Sequence, residues 1–329
     1  MMKDMEKRLN KIFDETTEEE LSLFKKAAEI IKAEGLVAFP TETVYGLGAN
    51  ALNENAVKKI YEAKGRPSDN PLILHVSGIE MAESLVHINE TAKLLMNKFW
   101  PGPLSLVLKA KDIIPLSTRG GLSTAAIRMP DNRIALEIIR ISNLPIAAPS
   151  ANKSGRPSPT DAKTVRDDIG DSVEMVIDGG KTLVGLESTV LDITGENPIL
   201  LRPGAISKEE IEAVLNVTVL FSQDENIIKR SPGVRYRHYA PNIPLMLSDV
   251  ENASKYASGK KWAWIGISEP KGTPNIKIIF LNTNEYAKEL FRVLREIETT
   301  KVEVIIAEKP EQKGIGLALT DRLIKAAGN

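Results

Sequence analysis

A short basic cluster separates a predicted helix from a predicted buried strand, in the segment YEAKGRPSDNPLILH at residues 61–75. One interpretation is structural: Lys64 suits the last turn of a helix, Gly65 can adopt the left-handed conformation that ends it, and Pro67 prevents its continuation. This interpretation leaves Arg66 without a role. The alternative is that Lys64 and Arg66 together bind a negatively charged ligand, although the segment alone favours the structural interpretation.

Three other segments place polar side chains at the ends of predicted apolar strands. They are Thr41 and Thr43 after Phe39 and Pro40, Thr124 and Arg128 about the strand at 125–129, and Ser150, Asn152 and Ser158 after 146–149. Each one alone is an ordinary turn residue. In open α/β sheets, however, ligands bind beyond the strand ends, where loops converge. Several hydroxyls, amides and cations at such ends therefore predict a pocket for a polyanion.

Two arginines beside buried strands raise a separate question. Arg128 and Arg202 would each be costly in an apolar environment without a partner. An anionic ligand is one source of that partner. For Arg202, pairing with a structural carboxylate is an equally good interpretation, and the sequence leaves both open.

Two short motifs resemble nucleotide-binding loops but have the wrong context. The phosphate-loop pattern that would end in Gly180-Lys181-Thr182 requires a glycine at position 175, where the chain has Met175. The run GLGANA at residues 46–51 fits the dinucleotide pattern, but the next helix is predicted to begin near Asn53 rather than within the run. Neither motif is interpreted as a nucleotide site.

Composition indicates an ordinary globular protein with a local anion site. The 329 residues are 42% hydrophobic and 26% charged, and the net charge is −1. This length allows two domains of about 150 residues each. A dedicated DNA-binding chain would be strongly basic. Any anion site must therefore be a local group of cations that acids elsewhere offset.

The rare residues exclude several kinds of site. The chain has no cysteine, so disulfides, thiol nucleophiles and thiolate zinc sites are excluded. His75, His87 and His238 lie far apart and lack metal-ligand spacing. The N-terminus is too charged for a signal peptide, and no apolar run approaches the roughly 20 residues of a membrane span. We expect a cytoplasmic protein without a tightly held metal.

The elements that must position these groups mix helices and strands. Thr17 and Glu20 form a capping box for a helix that ends at Gly35, and Ser207 and Glu210 form another. Further helices are predicted at 54–63, 90–99 and 132–141, the last begun by Asp131. Strands are predicted at 36–39, 71–76, 104–108, 125–129, 144–149, 173–177, 189–193 and 199–202. Because several strands follow one another without a helix, the pattern indicates an α/β fold with a mixed sheet.

A basic segment with prolines and a glycine, KRSPGVRYRHYAPN at residues 229–242, interrupts this pattern. Beyond it, strands and helices alternate as in a doubly wound fold. The predicted strands are 244–247, 262–267, 277–281 and 302–307, and the predicted helices are 253–257, 285–298 and 315–326. We therefore divide the chain into a first domain at 1–221, a linker at 222–243 and a small second domain at 244–329.

Several longer motifs together resemble the threonylcarbamoyl-AMP synthase family in its long two-domain form. They are TETVYGLGANA, KGRP with NPLILHV, SANKSGRPSPT, GLESTV with LRPGA, and SPGVRYRHYAP, in the family's order. The resemblance extends from Glu18 to the C-terminus. It implies a YrdC-like domain, a twisted mixed sheet with helices around a concave pocket, followed by a smaller Rossmann-like α/β domain. The family's lysine–x–arginine and serine–x–asparagine signatures correspond to residues 64–66 and 150–152.

The resemblance implies an activity and a set of partners. Enzymes of this family condense L-threonine, bicarbonate or CO2, and ATP into threonylcarbamoyl-adenylate and pyrophosphate. The product is used by a downstream tRNA threonylcarbamoyl transferase complex, which modifies the adenosine next to the anticodon. Mg²⁺ would accompany ATP on the phosphate oxygens, so no carboxylate cage is expected. Weak binding of tRNA or double-stranded RNA is a further implication, and no membrane is involved.

The resemblance also assigns residues, with Lys64 and Arg66 as the catalytic pair at the phosphates. The implied ATP-binding residues are Lys64, Arg66, Asn70, Thr124, Ser150, Asn152, Ser158, Arg202, Arg235, His238 and Tyr239. The implied threonine-binding residues are Thr43, His75, Arg128, the backbone of Ala148, and Ser188. Without the family, His75 is better interpreted as a strand histidine with one satisfied nitrogen. The linker, including Arg235 and Arg237, is predicted to fold over the pocket as a lid that excludes water.

Three other functions compete with this one. A module that binds double-stranded RNA or tRNA would show affinity that decreases steeply with salt and would not need threonine. A carbamoyl-phosphate-dependent carbamoyl-adenylate synthase would use a different donor. A nucleotide-binding regulator would bind ATP without releasing pyrophosphate.

Overall fold

The computed structural model describes residues 16–222, 224–231, 238–257 and 259–328 of the chain. Its strands form one sheet of ten strands and a second sheet of four. The fold is therefore α/β with a large mixed sheet and a separate, smaller parallel sheet, as the sequence predicts. Among the helices that these ranges contain, none combines the length and apolar character needed to cross a membrane.

The larger sheet belongs to the first part of the chain. Its strands are β1 (Val37–Phe39), β2 (Gly46–Asn50), β3 (Ile73–His75), β4 (Leu104–Lys109), β5 (Thr124–Arg128), β6 (Ile146–Ala147), β7 (Met175–Val176), β8 (Thr189–Asp192), β9 (Ile199–Arg202) and β10 (Leu220–Phe221). The helices of this region are α1 (Glu18–Lys32), α2 (Glu54–Lys64), α3 (Ile79–Leu85), α4 (Glu90–Phe99), α5 (Arg133–Ser142), α6 (Ala162–Ile169), α7 (Lys208–Leu215) and α8 (Glu225–Ile228).

The pairing of these strands is mixed. The strand order is β10-β9-β8-β4-β5-β3-β6-β2-β1-β7. β3 is parallel to β5 and antiparallel to β6, whereas β5 is antiparallel to β4. The end of β3 therefore lies beside the end of β5, and the start of β3 lies beside the end of β6. This arrangement brings distant segments of the sequence to one place.

Strand β2 is the largest difference from the predicted elements of this sheet. No strand is predicted from the sequence at Gly46–Asn50, where the structure has a buried strand that pairs with β1 and β6. Its glycines allow close packing, because a Cβ at Gly48 would lie 2.4 Å from Cε1 of Phe39. Glycines in a sequence often indicate a loop, but in this strand the missing side chain is required for close packing.

Most predicted helix ends agree with the structure. Thr17 and Ser207 both form the predicted capping boxes. Gly65 ends α2 with φ 59°, which confirms the left-handed cap. The predicted start of α5 at Asp131 is wrong, because the side chain of Asn132 accepts the hydrogen bond from the Ala135 amide. The pattern also fails to predict α3 and α6.

The second part of the chain forms the doubly wound unit that the sequence predicts. Its strands are β11 (Leu245–Ser248), β12 (Trp262–Gly266), β13 (Ile276–Ile279) and β14 (Val304–Glu308), all parallel, in the order β11-β14-β12-β13. Its helices are α9 (Ala253–Ala257), α10 (Thr283–Glu298) and α11 (Ile315–Ala327).

The two regions pack closely against each other. Val44 and Leu186 of the first region belong to the same buried apolar cluster as Leu290 and Phe291 of α10. Gly185 lies so near α10 that a Cβ there would be 2.0 Å from the Lys288 carbonyl oxygen. The second region is thus docked beside the loops that follow β1 and precede β8.

Candidate active site

A pocket lies beside the central strands β3, β5 and β6 of the larger sheet, and the segment 238–239 covers part of it. Among the residues that the structure describes, its lining contains four arginines and one glutamate, an excess of positive charge. The lining residues are Thr43, Val44, Arg66, Ile73, His75, Arg128, Ala148, Pro149, Ser150, Asn152, Arg156, Glu187, Ser188, Arg202, His238 and Tyr239.

The structure brings most of the sequence-predicted site residues together. All five expected to hold threonine line the pocket, and six of those expected to hold ATP do so as well. Lys64, Asn70, Thr124 and Ser158 are buried but do not line the pocket, and Arg235 lies outside the described residues. These roles remain predictions, but the predicted convergence of separate loops is present.

Lys64 reaches the pocket indirectly. Its ammonium nitrogen Nζ donates hydrogen bonds of 2.5 Å to the carbonyl oxygens of Ser150 and Asn152. Burial and the charge of Arg66 hold the pKa of Lys64 well below its ordinary value. Lys64 therefore fixes the 150–152 loop.

Arg66 faces the pocket directly from the residue after the helix cap. Its Nη2 donates to the Pro71 carbonyl oxygen at 3.0 Å, and its buried Nε has no hydrogen-bond partner within the described part of the chain. Burial lowers the pKa of Arg66 to about 10, which still leaves the guanidinium charged at neutral pH. An unsatisfied buried guanidinium N–H is a group that a phosphate oxygen would satisfy.

Arg128 and Thr43 form a second cluster at the end of β5. Nη2 of Arg128 lies 3.1 Å from Oγ1 of Thr43, which is itself 2.8 Å from Oγ1 of Thr41. The same guanidinium forms a buried ion pair of 2.6 Å with Glu42. Glu42 thus supplies the counter-charge that stabilises buried Arg128 in the absence of a ligand.

His75 is neutral in this environment. It lies beside Arg128 in the paired register of β3 and β5. Burial, together with the positive charge of Arg128, lowers the pKa of His75 to about 3. A neutral imidazole can donate or accept a hydrogen bond at neutral pH but adds no charge to the pocket.

Arg202 and Ser188 form the far side of the pocket. Nε and Nη2 of Arg202 donate to the carbonyl oxygen of Ser188 at 3.1 and 2.9 Å, and Nη2 lies 3.1 Å from its hydroxyl. Glu187 is also an electrostatic neighbour of Arg202. Both interpretations of Arg202 therefore keep support, because a lining cation and a nearby structural carboxylate are both present.

Glu187 is the acid of the pocket lining. Its Oε1 accepts a 2.5 Å hydrogen bond from the hydroxyl of Ser158, and its Oε2 accepts a 2.7 Å bond from Nε of Arg322. Burial opposes its ionisation, but Arg322, Arg202 and Ser158 more than offset this effect and lower the pKa of Glu187. Glu187 is therefore a carboxylate that connects Ser158 to the second region of the protein.

His238 and Tyr239 close one side of the pocket. Tyr239 has φ 62°, a left-handed conformation that is uncommon for a residue other than glycine. Its ring stacks on Phe291 with centroids 5.3 Å apart, and the next amide, of Ala240, donates to the Gly155 carbonyl. Burial and the charge of Arg66 lower the pKa of His238 to about 3. The linker end is thus fixed against both regions.

The enclosed space is small in this conformation. The cavity volume is about 60 Å³, enough for a few water molecules. Sites for drug-sized ligands measure roughly 300–1,000 Å³. A nucleotide and an amino acid together would need the covering segment to move.

The described residues contain no group of three or more acids and histidines that could hold a metal ion. The lining of the pocket, with four arginines and one glutamate, suits phosphate oxygens better than a bare divalent cation.

Charged residues in or beside the pocket are absent from the sequence prediction: Glu187 and Arg156 line it, and Glu42 pairs with Arg128. Their partners lie far along the chain, since Arg322 is 135 residues from Glu187. One signal was nevertheless present: Glu42 and Glu187 stand inside TETVY and GLESTV, two of the motifs on which the resemblance rests. An acid within such a motif could have been included among the candidates.

Comparison with known proteins gives a consistent result across the chain. A family model of Sua5, YciO and YrdC, described as "Telomere recombination", matches residues 29–204. A second, described as "Threonylcarbamoyl-AMP synthase, C-terminal domain", matches residues 206–328. Together the two models extend over most of the sequence.

Relatives of similar length agree with these models. The threonylcarbamoyl-AMP synthase of Pyrococcus abyssi is 47% identical over 321 residues, which cover 92% of this chain and 93% of that protein. The Bacillus subtilis enzyme of the same name is 46% identical and covers 92% of both chains. The crystal structure of P. abyssi Sua5 complexed with L-threonine matches with a TM-score of 0.87 at 46% identity, over 93% of this chain and 94% of that one. The chain belongs to the threonylcarbamoyl-AMP synthase family.

Proposed function

We propose that this protein is a threonylcarbamoyl-AMP synthase, a nucleotidyltransferase that condenses L-threonine, bicarbonate or CO2, and ATP into threonylcarbamoyl-adenylate and pyrophosphate. The observation that carries the proposal is the convergence of Arg66, Arg128 and Arg202, from three separate segments, on one pocket. The reaction brings a carboxylate to a triphosphate, and cations must screen that repulsion.

Threonine is proposed to bind at Arg128. A guanidinium matches the two oxygens of an α-carboxylate, and Thr43, 3.1 Å from Arg128, supplies a hydroxyl next to it. His75, neutral at physiological pH, supplies a hydrogen-bonding group beside the same arginine. The Ala148 backbone and Ser188 complete the proposed threonine subsite. The crystal structure of a relative in complex with L-threonine supports this assignment of the substrate.

ATP is proposed to place its phosphates at Arg66 and Arg202. The free Nε of Arg66 and the guanidinium of Arg202 are suitable donors to phosphate oxygens. Lys64 holds the Ser150–Asn152 loop in place. The other residues proposed for the nucleotide are Asn70, Thr124, Ser158, His238 and Tyr239. Mg²⁺ would bind the phosphate oxygens and neutralise part of their charge.

The chemistry then proceeds in two steps. The threonine amine attacks CO2, forms the N–C bond of a carbamate and releases one proton. A carbamate oxygen next attacks the α-phosphorus of ATP, and pyrophosphate leaves with the electron pair of the broken P–O bond. Positioning by the cations supplies most of the catalysis, so no strong base is required.

The segment at 222–243 is proposed to be a lid between a catalytic domain at 1–221 and a second domain at 244–329. The position of His238 and Tyr239 over a cavity of about 60 Å³ supports this proposal. Opening would admit the substrates, and closing would exclude water from the acyl-adenylate. Location in the cytoplasm, transfer of the product to a tRNA-modifying complex, and weak binding of tRNA or double-stranded RNA remain predictions.

One assay tests the function and separates it from its rivals. Pyrophosphate release from ATP is measured with threonine and bicarbonate omitted in turn. We expect release only when both are present. Release that requires carbamoyl phosphate would favour a carbamoyl-adenylate synthase, and ATP binding without release would favour a regulator. Salt-sensitive RNA binding without any release would favour an RNA-binding module.

A further inference from the structure

Three ion pairs among the described residues connect the second region to two loops and a helix of the first. Arg156 pairs with Glu298, and Asp168 pairs with Arg295 on the same helix, α10. The third pair joins Arg322 of α11 to Glu187 of the pocket lining, with 2.7 Å between Nε and Oε2. Of these three, the pair formed by Arg322 is the most deeply buried, since that side chain is 0% exposed.

Arg322 also contacts the segment that covers the pocket. Its guanidinium carbon lies 5.2 Å from the ring centroid of Tyr239, within the range of a cation–π interaction. Arg322 therefore touches two lining residues from outside the pocket. One of them is the only acid among the described residues of the lining, and the other belongs to the proposed lid.

The hydrogen bonds of Arg322 are not those of a saturated structural arginine. Nε bonds Glu187 and Nη1 bonds Asp321, but the buried Nη2 has no partner within the ranges that the structure describes. An arginine that served only to hold two regions together would be expected to have all its donors paired. The free donor and the contact with Tyr239 indicate a group with a further role near the pocket.

The charge balance gives a reason for this arrangement. Glu187 without Arg322 would be a buried carboxylate beside the place where the ATP phosphates are proposed to lie. Its repulsion of the phosphates would oppose binding. With Arg322 in position, the carboxylate is neutralised and still orients Ser158, whose hydroxyl bonds Oε1 at 2.5 Å.

We propose that Arg322 is a positioning residue of the active site, supplied by the second domain. It neutralises and orients Glu187 on one side and seats the Tyr239 ring on the other. The second domain therefore completes the pocket instead of only supporting the linker. This inference rests on the proposed function.

The test compares variants of the full-length chain by steady-state pyrophosphate release. Arg322→Met removes the charge at similar length, and Arg322→Lys retains it without the planar group. Asp168→Asn is the matched control, because it breaks a neighbouring ion pair between the same two regions without touching the pocket lining. Melting temperature and circular dichroism report the folding of each variant.

We expect Arg322→Met to lower kcat/KM by roughly 10–100-fold, mainly through a higher KM for ATP. A change of this size is typical when a substitution away from the reacting atoms shifts the groups that position a substrate. Arg322→Lys should recover at least part of the loss in KM. Asp168→Asn should reduce the melting temperature but leave kcat/KM within about threefold of wild type. Equal kinetic effects of Arg322→Met and Asp168→Asn would show that Arg322 only docks the domains, and would overturn the proposal.

A second variant keeps the test decisive if Arg322→Met does not fold. Glu187→Gln has nearly the same volume and removes the charge that Arg322 neutralises. We expect at least a fivefold change in the KM for ATP, and an unchanged value would overturn the proposal. If the wild-type protein itself releases no pyrophosphate with threonine and bicarbonate, the proposed function fails first. The same variants are then compared by calorimetric titration with ATP alone, where a loss of affinity confined to the Arg322 and Glu187 variants supports the positioning role and equal affinities overturn it.

Discussion

The two sheets of this protein use the ends of their strands in different ways. At the end of β14 in the four-stranded sheet, the carboxylate of Glu308 accepts hydrogen bonds from the amides of Ile267 and Ser268 at 2.6 and 2.9 Å. At the ends of β5 and β9 in the ten-stranded sheet stand Arg128 and Arg202. The first strand end holds an anion bonded by backbone amides, whereas the other two carry arginines, one of which, Arg128, is paired with Glu42.

This difference indicates what makes a strand end a binding site. Loops lie at strand ends in both regions, so the presence of such loops does not by itself decide which end binds a ligand. The amides near Glu308 are already satisfied, and an added phosphate would have to displace a buried carboxylate. The larger sheet instead lines its pocket with four arginines and one glutamate. Excess positive charge, and not the fold class, distinguishes the proposed active site.

The largest expected effect comes from removing a cation of the pocket. Arg66→Ala should lower kcat/KM for pyrophosphate release by about 10²–10³, as for the loss of one preorganised charge-stabilising group. Lys58→Ala removes an exposed cation from α2 and is the control. Activity of Arg66→Ala within a few-fold of the control would mean that Arg66 has only a structural role.

The reverse prediction concerns the strand end that holds Glu308. Glu308→Ala leaves the amides of Ile267 and Ser268 without their acceptor, which should cost about 1–3 kcal/mol of folding free energy. Pyrophosphate release at a temperature where the variant is folded should change by less than about threefold. The measurements are urea unfolding and steady-state kinetics, with Glu269→Ala as an exposed control. A large loss of activity at unchanged stability would show that the second sheet also takes part in ligand binding.

The pocket also makes the first region sensitive to acid. The pKa of buried His75 is lowered to about 3 from an ordinary value of 6.5, whereas the second sheet region, from residue 244 onwards, contains no histidine. The unfolded chain binds protons below pH 6.5 and the folded protein does so only near pH 3, so stability decreases as the pH falls through this interval.

Replacement of that histidine provides the measurement. Between pH 7.5 and pH 5, His75→Gln should lose about 2 kcal/mol less folding free energy than wild type, because it has no proton to take up on unfolding. His87→Gln, at an exposed position, is the control. An identical pH dependence of wild type and His75→Gln would contradict the burial argument.

The smallest expected effect is a change in KM that distinguishes the proposed threonine subsite from the proposed ATP subsite. Thr43→Val removes the hydroxyl that lies 3.1 Å from Arg128. We expect the KM for threonine to increase about tenfold, because roughly one hydrogen bond is lost, with little change in the KM for ATP. A higher KM for ATP with an unchanged KM for threonine would mean that the threonine and ATP subsites are assigned the wrong way round.

The sequence predicts those features that depend on neighbouring residues. The capping boxes of Thr17 and Ser207, the cap at Gly65 and the parallel second sheet are all local patterns, and the structure confirms them. Motifs also identify strand-end loops, because hydroxyls and amides there stand out against apolar strands. The proposed roles of Lys64 and Arg66 come from the family resemblance and stay predictions.

Features that depend on distant residues are not predictable in this way. Strand β2 contains Gly48, which looks like a turn residue until Phe39 is seen to occupy the space of its missing side chain. The pairing of Glu187 with Arg322 joins residues 135 positions apart. Likewise, Lys64 bonds two carbonyl oxygens of the 150–152 loop, so its influence on the pocket depends on folding and not on its local sequence.

The most direct test of the central claim is a crystal structure of the protein with L-threonine and a non-hydrolysable ATP analogue. We expect the triphosphate to contact Arg66 and Arg202 while the threonine carboxylate contacts Arg128, with both ligands in one pocket. Ligands bound at separate places, or at the strand end that Glu308 occupies, would contradict it.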